Sequence, residues 1–217
     1  EATRPEEDED AYWAAVYQLR SAGAQECWVL VAPLAQEGRP EVRALVPDVL
    51  RYFAPHPLRE EVVTLMAKML STETAPTVLG AIAAAFVDLN HDLAADILPP
   101  LLEHPNANVR SAAVHGLLTV AGPRTVGHFV RASTDRDADV RNWATFGLRI
   151  LLGEVGDANA LDTEEIRNAI AERLGDEHDE IRAEAILGLA IRQDPRALAQ
   201  LKHELRHWPE WDHCFEA

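Results

Sequence analysis

The sequence predicts an all-α fold, an α-solenoid of about five stacked helical hairpins with a capping helix at each end. Three observations carry this: a recurring nine-residue pattern, a helical rather than a strand period of apolar residues, and turn signals between the periodic segments. The pattern is clearest in three places. These are Val109-Arg110-Ser111-Ala112-Ala113-Val114-His115-Gly116-Leu117, Val140-Arg141-Asn142-Trp143-Ala144-Thr145-Phe146-Gly147-Leu148 and Ile181-Arg182-Ala183-Glu184-Ala185-Ile186-Leu187-Gly188-Leu189. They share the form [VI]-R-x-x-A-x-x-G-L. Weaker copies begin at Val78 and Val42, so the starts at 42, 78, 109, 140 and 181 are spaced by 36, 31, 31 and 41 residues.

Each copy reads as one face of a helix. Val140, Ala144, Gly147, Leu148 and Leu151 fall at i, i+4, i+7, i+8 and i+11, a single apolar stripe. The small Ala144 and Gly147 leave room for a second helix to approach. Asn106 and Asn108, Asp137 and Asp139, and Asp176 and Asp179 precede the three strong copies, where side-chain oxygens can cap the free N–H groups of a first turn. Apolar-periodic segments at about 24–36, 58–71, 91–103, 123–133 and 163–174 supply the partner (outer) helices, and the motif helices are the inner ones. Helices at about 9–21 and 194–207 are left over and cap the ends, since an end repeat otherwise exposes its stacking face. His104-Pro105-Asn106, Gly122-Pro123 and Gly175-Asp176 mark turns, and 153–160 reads as a loop inserted between repeats. Residues 1–8, with the run Glu6-Glu7-Asp8-Glu9-Asp10, are expected to be a disordered acidic lead-in, and 9–217 a single array.

Composition narrows the function. Twenty Lys and Arg against 36 Asp and Glu give a formal net charge of -16. Such a chain repels phosphate backbones and anionic lipid, so the expected partner is a protein with a basic surface, with no nucleic acid and no membrane. No apolar run is long enough for a membrane helix. No basic-then-apolar leader is visible. Cys27 and Cys214 are the only cysteines, which suits a reducing compartment and gives a cytoplasmic expectation.

The V-R-x-x-A-x-x-G-L helix, preceded by Asp and followed by a second helix, resembles the HEAT repeat, and most of all the short bacterial form named after phycobilisome lyases. The resemblance is clear over about 75–195 and looser over 24–75. It implies a scaffold that binds proteins on a concave surface lined by the inner helices. It also implies that the motif arginines, Arg110, Arg141 and Arg182, pair with the preceding Asp in a structural ladder.

On the inner helices, positions off the buried stripe are expected to face solvent. These include Ser111, Ala112 and His115; Asn142, Trp143 and Phe146; and Ala183, Glu184 and Leu187. The candidate partner-binding residues are Trp143, Phe146, Asn142, His115, Glu184 and Leu187. Trp143 and Phe146 are the expected anchors, because two large aromatics three residues apart make a natural hot spot; the competing reading of Trp143 is simple packing between repeats. Residues 109–150 carry six Arg and three Asp, net +3, whereas 151–184 carry eleven acids and three Arg, net -8. A partner could read that contrast.

One segment points to other chemistry. Lys202-His203-Glu204-Leu205-Arg206-His207 contains H-E-x-x-H, and His213 follows at the metzincin third-ligand spacing. Glu210 stands where the pattern needs Gly, Arg206 is charged where such enzymes are apolar, and no Met-turn or substrate-binding sheet follows. No cofactor is expected, and His203, His207 and His213 remain only candidate ligands. His203-Glu204 is the only His-Glu pair, which argues against a di-iron hydroxylase on this scaffold, and the acidity argues against a HEAT-like DNA glycosylase. The reading is therefore a non-catalytic scaffold holding a protein partner, with an immunity or inhibitor protein against a basic toxin, or an adaptor, as its finer forms. A metal-binding or lyase-like enzyme or subunit is the alternative.

Overall fold

A computed structural model describes residues 6–21, 23–53, 56–151 and 161–207. The chain divides into two compact units, residues 1–120 and 121–217.

The first unit opens with α1 (Glu6–Ser21), which begins within the stretch expected to be a disordered lead-in. Next come α2 (Ala24–Val31) and α3 (Pro40–Leu50), then α4 (Arg59–Leu70) and α5 (Pro76–Leu89), and finally α6 (Ala94–Ile97) and α7 (Ala107–Leu117). The motif helices α3, α5 and α7 pack in series, with α5 against both neighbours. Their facing stripes supply buried Val46, Val49, Leu50, Ile82, Phe86, Ala113, Val114 and Leu117, the apolar positions of the repeat pattern. Gly116 is where α7 comes nearest: a Cβ there would lie 2.5 Å from the Ala83 carbonyl oxygen and 2.7 Å from Leu98 Cδ1.

The partner helices are less regular than expected. The 24–36 segment is helical only to Val31 and finishes as a 3₁₀ turn over Ala32–Gln36; the 91–103 segment is a four-residue helix followed by a 3₁₀ turn over Pro99–Glu103. Proline explains both, because Pro33, Pro99 and Pro100 lack the N–H that the i−4 carbonyl needs. At the end of α5, Asn90 turns left-handed (φ 45°), and Arg59 donates to the carbonyls of Leu89 and Asn90, satisfying acceptors the helix leaves open.

The second unit contains α8 (Val126–Ala132), α9 (Ala138–Ile150), α10 (Glu164–Glu172), α11 (Asp179–Ile191) and α12 (Pro195–His207). The motif helices α9 and α11 make its largest contact. Asn106 caps α7 and Asp137 caps α9, as expected. The start of α11 departs from expectation: its N-cap is His178 without a side-chain bond, and Asp176 instead accepts from the His178 N–H. The 153–160 insertion lies outside the described residues. No strand occurs among the described residues, and no helix there is long and apolar enough to cross a membrane.

The motif arginine has one repeated job. Arg43, Arg110, Arg141 and Arg182 each use Nη1 to donate to the two carbonyls six and five residues earlier. These are Glu37 and Gly38 (2.8 and 3.0 Å), His104 and Pro105 (2.9 and 3.1 Å), Asp135 and Arg136 (3.0 and 3.2 Å), and Asp176 and Glu177 (2.9 and 3.3 Å). In Arg43, Arg141 and Arg182 the rest of the guanidinium grips a carboxylate. The resemblance implied the preceding Asp; for Arg43 and Arg141 the carboxylate instead comes from later in the chain. Arg43 bonds Glu73 at 2.7 and 2.9 Å, and Arg141 bonds Asp176 at 2.8 and 3.0 Å. Arg182 does both, reaching Asp179 at 2.6 Å and Glu204 at 3.1 Å. The preceding Asp is used otherwise: Asp137 is committed to the helix N–H groups and Asp135 accepts from the Asp137 N–H. Only a planar, five-donor fork can serve a loop and a distant carboxylate at once, so lysine cannot substitute.

This clamp makes a pH prediction. Hydrogen bonds from Arg43, helped by the N–H groups of Ala75 and Thr74 and opposed by burial, hold Glu73 at about 2. A carboxylate depressed in the folded state stabilises above its unfolded value of about 4.3, and that contribution is lost as pH falls from there through about 2. The melting temperature of the wild-type chain should fall steeply across that window. Glu73→Gln should be less stable at neutral pH and show a shallower acid decline; parallel curves would contradict the clamp.

Candidate functional site

The expected anchors sit together on α9 and are half-buried, so neither is the fully solvent-facing group that helical phase suggests. Trp143 and Phe146 meet edge to face, with ring centroids 6.0 Å apart and planes at 83°. Arg149 lies over the Phe146 ring, 4.5 Å from its centroid, and donates to Glu184 of α11 at 2.6 Å. Glu184 is therefore the carboxylate that holds Arg149 in its cation–π position. Leu187 on α11 is 46% exposed. The order along the surface is thus tryptophan, phenylalanine, arginine and carboxylate, a partly apolar face edged by a fixed charge pair.

Asn142 also belongs to α9. Its side-chain oxygen is buried and has no hydrogen-bond partner. His115 is on α7 in the first unit, apart from the other candidates in sequence and in unit. Burial first, and then the charge of Arg51, hold its imidazole below the ordinary histidine range, against the opposing pull of Asp88.

The H-E-x-x-H segment lies on α12. Glu204, which a metalloprotease would need free as its base, accepts from Gln200 at 2.9 Å and from Arg182 at 3.1 Å. Those bonds, the Gln200 one first, hold its carboxyl below the usual range against the effect of burial. It is a structural carboxylate of α12 that holds Arg182 of the last motif helix. His203 is exposed, while the side chain of His207 and all of His213 lie outside the described residues. Among the described residues no three His, Cys, Asp or Glu side chains come together as a metal site.

A groove between α11 and α12 escaped the sequence reading. It encloses roughly 400 Å³ and is lined chiefly by Ala183, Ile186, Leu187, Ala190, Leu201 and Leu205, with Asp179, Arg182 and Glu204 at one end. Leu198, Leu201 and Leu205 recur at i, i+3 and i+7, the usual signature of a core-facing stripe, yet they are 56%, 42% and 42% exposed.

Comparison with known proteins agrees with the repeat reading. Residues 63–149 match the HEAT repeats family. Protein YibA of Escherichia coli K12 is 34% identical over 112 residues, which are 52% of this chain and 37% of YibA. The chain therefore spans little more than a third of that relative's length. The X-ray structure of Escherichia coli YibA superposes over 94% of this chain and 82% of that one with a TM-score of 0.60 at 19% identity. The archaeal HEAT-like repeats protein from Thermococcus onnurineus NA1 superposes over 87% and 76% with a TM-score of 0.52, also at 19% identity. At that identity the likeness is one of fold. With five motif helices in the expected places, a recurrent arginine clamp and these matches, the chain carries HEAT repeats over 63–149 and has an α-solenoid fold.

Proposed function

We propose that this chain is a non-catalytic scaffold that holds a protein partner with a basic surface against the motif helices α9 and α11. The observation that carries the reading is the half-exposed Trp143–Phe146 pair, fixed by Arg149 and Glu184 and bordered by the exposed Leu187. Rigid aromatics with part of their surface open are the residues on which interface energy concentrates. Charge supports the partner's sign: the chain carries -16 overall and -8 over 151–184, which steers a basic protein and repels an acidic one. Such acidity suits an immunity or inhibitor protein that covers a basic enzyme, the finer form favoured here over an adaptor.

The test is affinity capture with mass spectrometry, comparing the wild-type chain with a Trp143→Ala/Phe146→Ala variant whose circular dichroism is unchanged. Two anchors at about 1–2 kcal/mol each predict at least a tenfold loss of a captured basic partner. A partner retained at full affinity removes the two aromatics from the interface, and a partner that is acidic overturns the charge argument.

A further inference from the structure

We infer that the α11–α12 face is a self-association surface that takes a second copy of this chain. This goes beyond the scaffold reading and does not depend on it. Among the described residues, four of the eight large apolar side chains left exposed lie on these two helices: Leu187, Leu198, Leu201 and Leu205. Leu187, Leu201 and Leu205 line an open apolar groove, with Leu198 one turn before Leu201 on the same helix, and contiguous patches of this kind mark interaction sites.

The flanking charges say what fits. By helical phase the exposed Glu180 borders the patch on the α11 side, and the exposed Lys202 and Arg206 border it on the α12 side. One edge is acidic and the other basic. The Arg182–Glu204 bond places the start of α11 beside the end of α12, so these charges stand at the same end of the groove. A two-fold axis parallel to the helices lays α11 of one copy on α12 of the other and brings Glu180 towards Lys202 and Arg206 at both edges. The alternative two-fold, across the helices, lays like on like. The face is thus self-complementary in one arrangement, as an isologous interface requires. A basic partner would meet Lys202 and Arg206 unfavourably, whereas in a second copy the local pairing of Glu180 with Lys202 and Arg206 at both edges offsets the general repulsion between two chains of net charge -16.

Size sets the strength. Two 13-residue helices about 20 Å long, side by side, bury on the order of 800 Å² in total, below the standard range for a stable interface. The dimer is therefore weak, with a dissociation constant in the micromolar range.

Sedimentation velocity on the full chain across the micromolar range tests this. The wild-type chain should pass from 24.0 kDa to twice that mass as concentration rises. Leu201→Glu, at an exposed position, should keep the helical spectrum and lose the dimer. Glu180→Lys and Arg206→Glu should each weaken self-association at least tenfold, and an equimolar mixture of the two should regain association as a heterodimer. A wild-type chain that stays monomeric overturns the proposal, whether residues 208–217 or an unrelated protein takes the groove instead. So does a dimer that Leu201→Glu leaves intact, since the contact then lies elsewhere.

Discussion

Arg141→Ala should lower the unfolding free energy by about 3–5 kcal/mol. Arg141 is 8% exposed and the Asp176 side chain 5%. Removing the guanidinium leaves a carboxylate out of water without its partner. It also frees the carbonyls of Asp135 and Arg136, which the same side chain holds. Burial opposes ionisation of Asp176, and the bonds from Arg141 and the His178 N–H outweigh it, so its carboxyl stays below the usual range. For a chain of this length the loss amounts to roughly 10 °C or more in melting temperature. The contrast is Arg167→Ala. That residue pairs with Asp162 where both side chains are about 30% exposed and lies 3.6 Å from Asp194, which keeps Arg196 as its partner, and its loss should cost no more than about 1 kcal/mol. Removing Asp176 together with Arg141 should recover part of the loss, because the stranded charge goes too. Thermal or urea unfolding of the three variants checks this, and equal effects for Arg141→Ala and Arg167→Ala would contradict the clamp.

Alanine at the motif glycine should separate the repeats. Gly116→Ala places a methyl 2.5 Å from a backbone oxygen, that of Ala83, and backbone cannot step aside without moving α5. A loss of about 3 kcal/mol, the upper part of the overpacking range, is expected. Gly147→Ala meets the Phe129 ring at 2.6 and 2.7 Å; that ring is fully buried, and a loss of about 2 kcal/mol follows. Gly188→Ala meets nothing closer than 3.4 Å, from Ile170. There the gain in helix propensity, about 1 kcal/mol, should make the substitution neutral or stabilising. Denaturation midpoints that fall alike for all three would mean that the glycine serves the pattern for some reason other than close approach.

What the sequence showed and what it hid divide along the range of the interactions. The α9 helix was legible because its signals are local: Asp137 at the cap, the stripe of Val140, Ala144 and Leu148, and Gly147 for approach. The clamp's carbonyl half is local too, at a constant offset. Its carboxylate half lies 30 residues on for Arg43, 35 for Arg141 and 22 for Arg182, and no fixed spacing announces it. The short α6 was readable in Pro99-Pro100, but apolar periodicity outweighed the missing N–H groups. Trp143 and Phe146 were found by helical phase, which places a side chain off the stripe but cannot see that Arg149, held by Glu184 on another helix, covers the Phe146 ring. The leucines of α12 run in the opposite sense. A repeat of i, i+3 and i+7 implies burial, and only the packing reveals that no described element covers them.

The central claim, that α9 presents a protein-binding face, is tested most directly by photo-crosslinking. A photoreactive phenylalanine analogue placed at position 146 is irradiated in cell extract beside a chain carrying it at the exposed position 165 on α10. The account predicts a discrete adduct with one basic protein from position 146 and none from 165. No adduct from 146, or the same adducts from both positions, would contradict it.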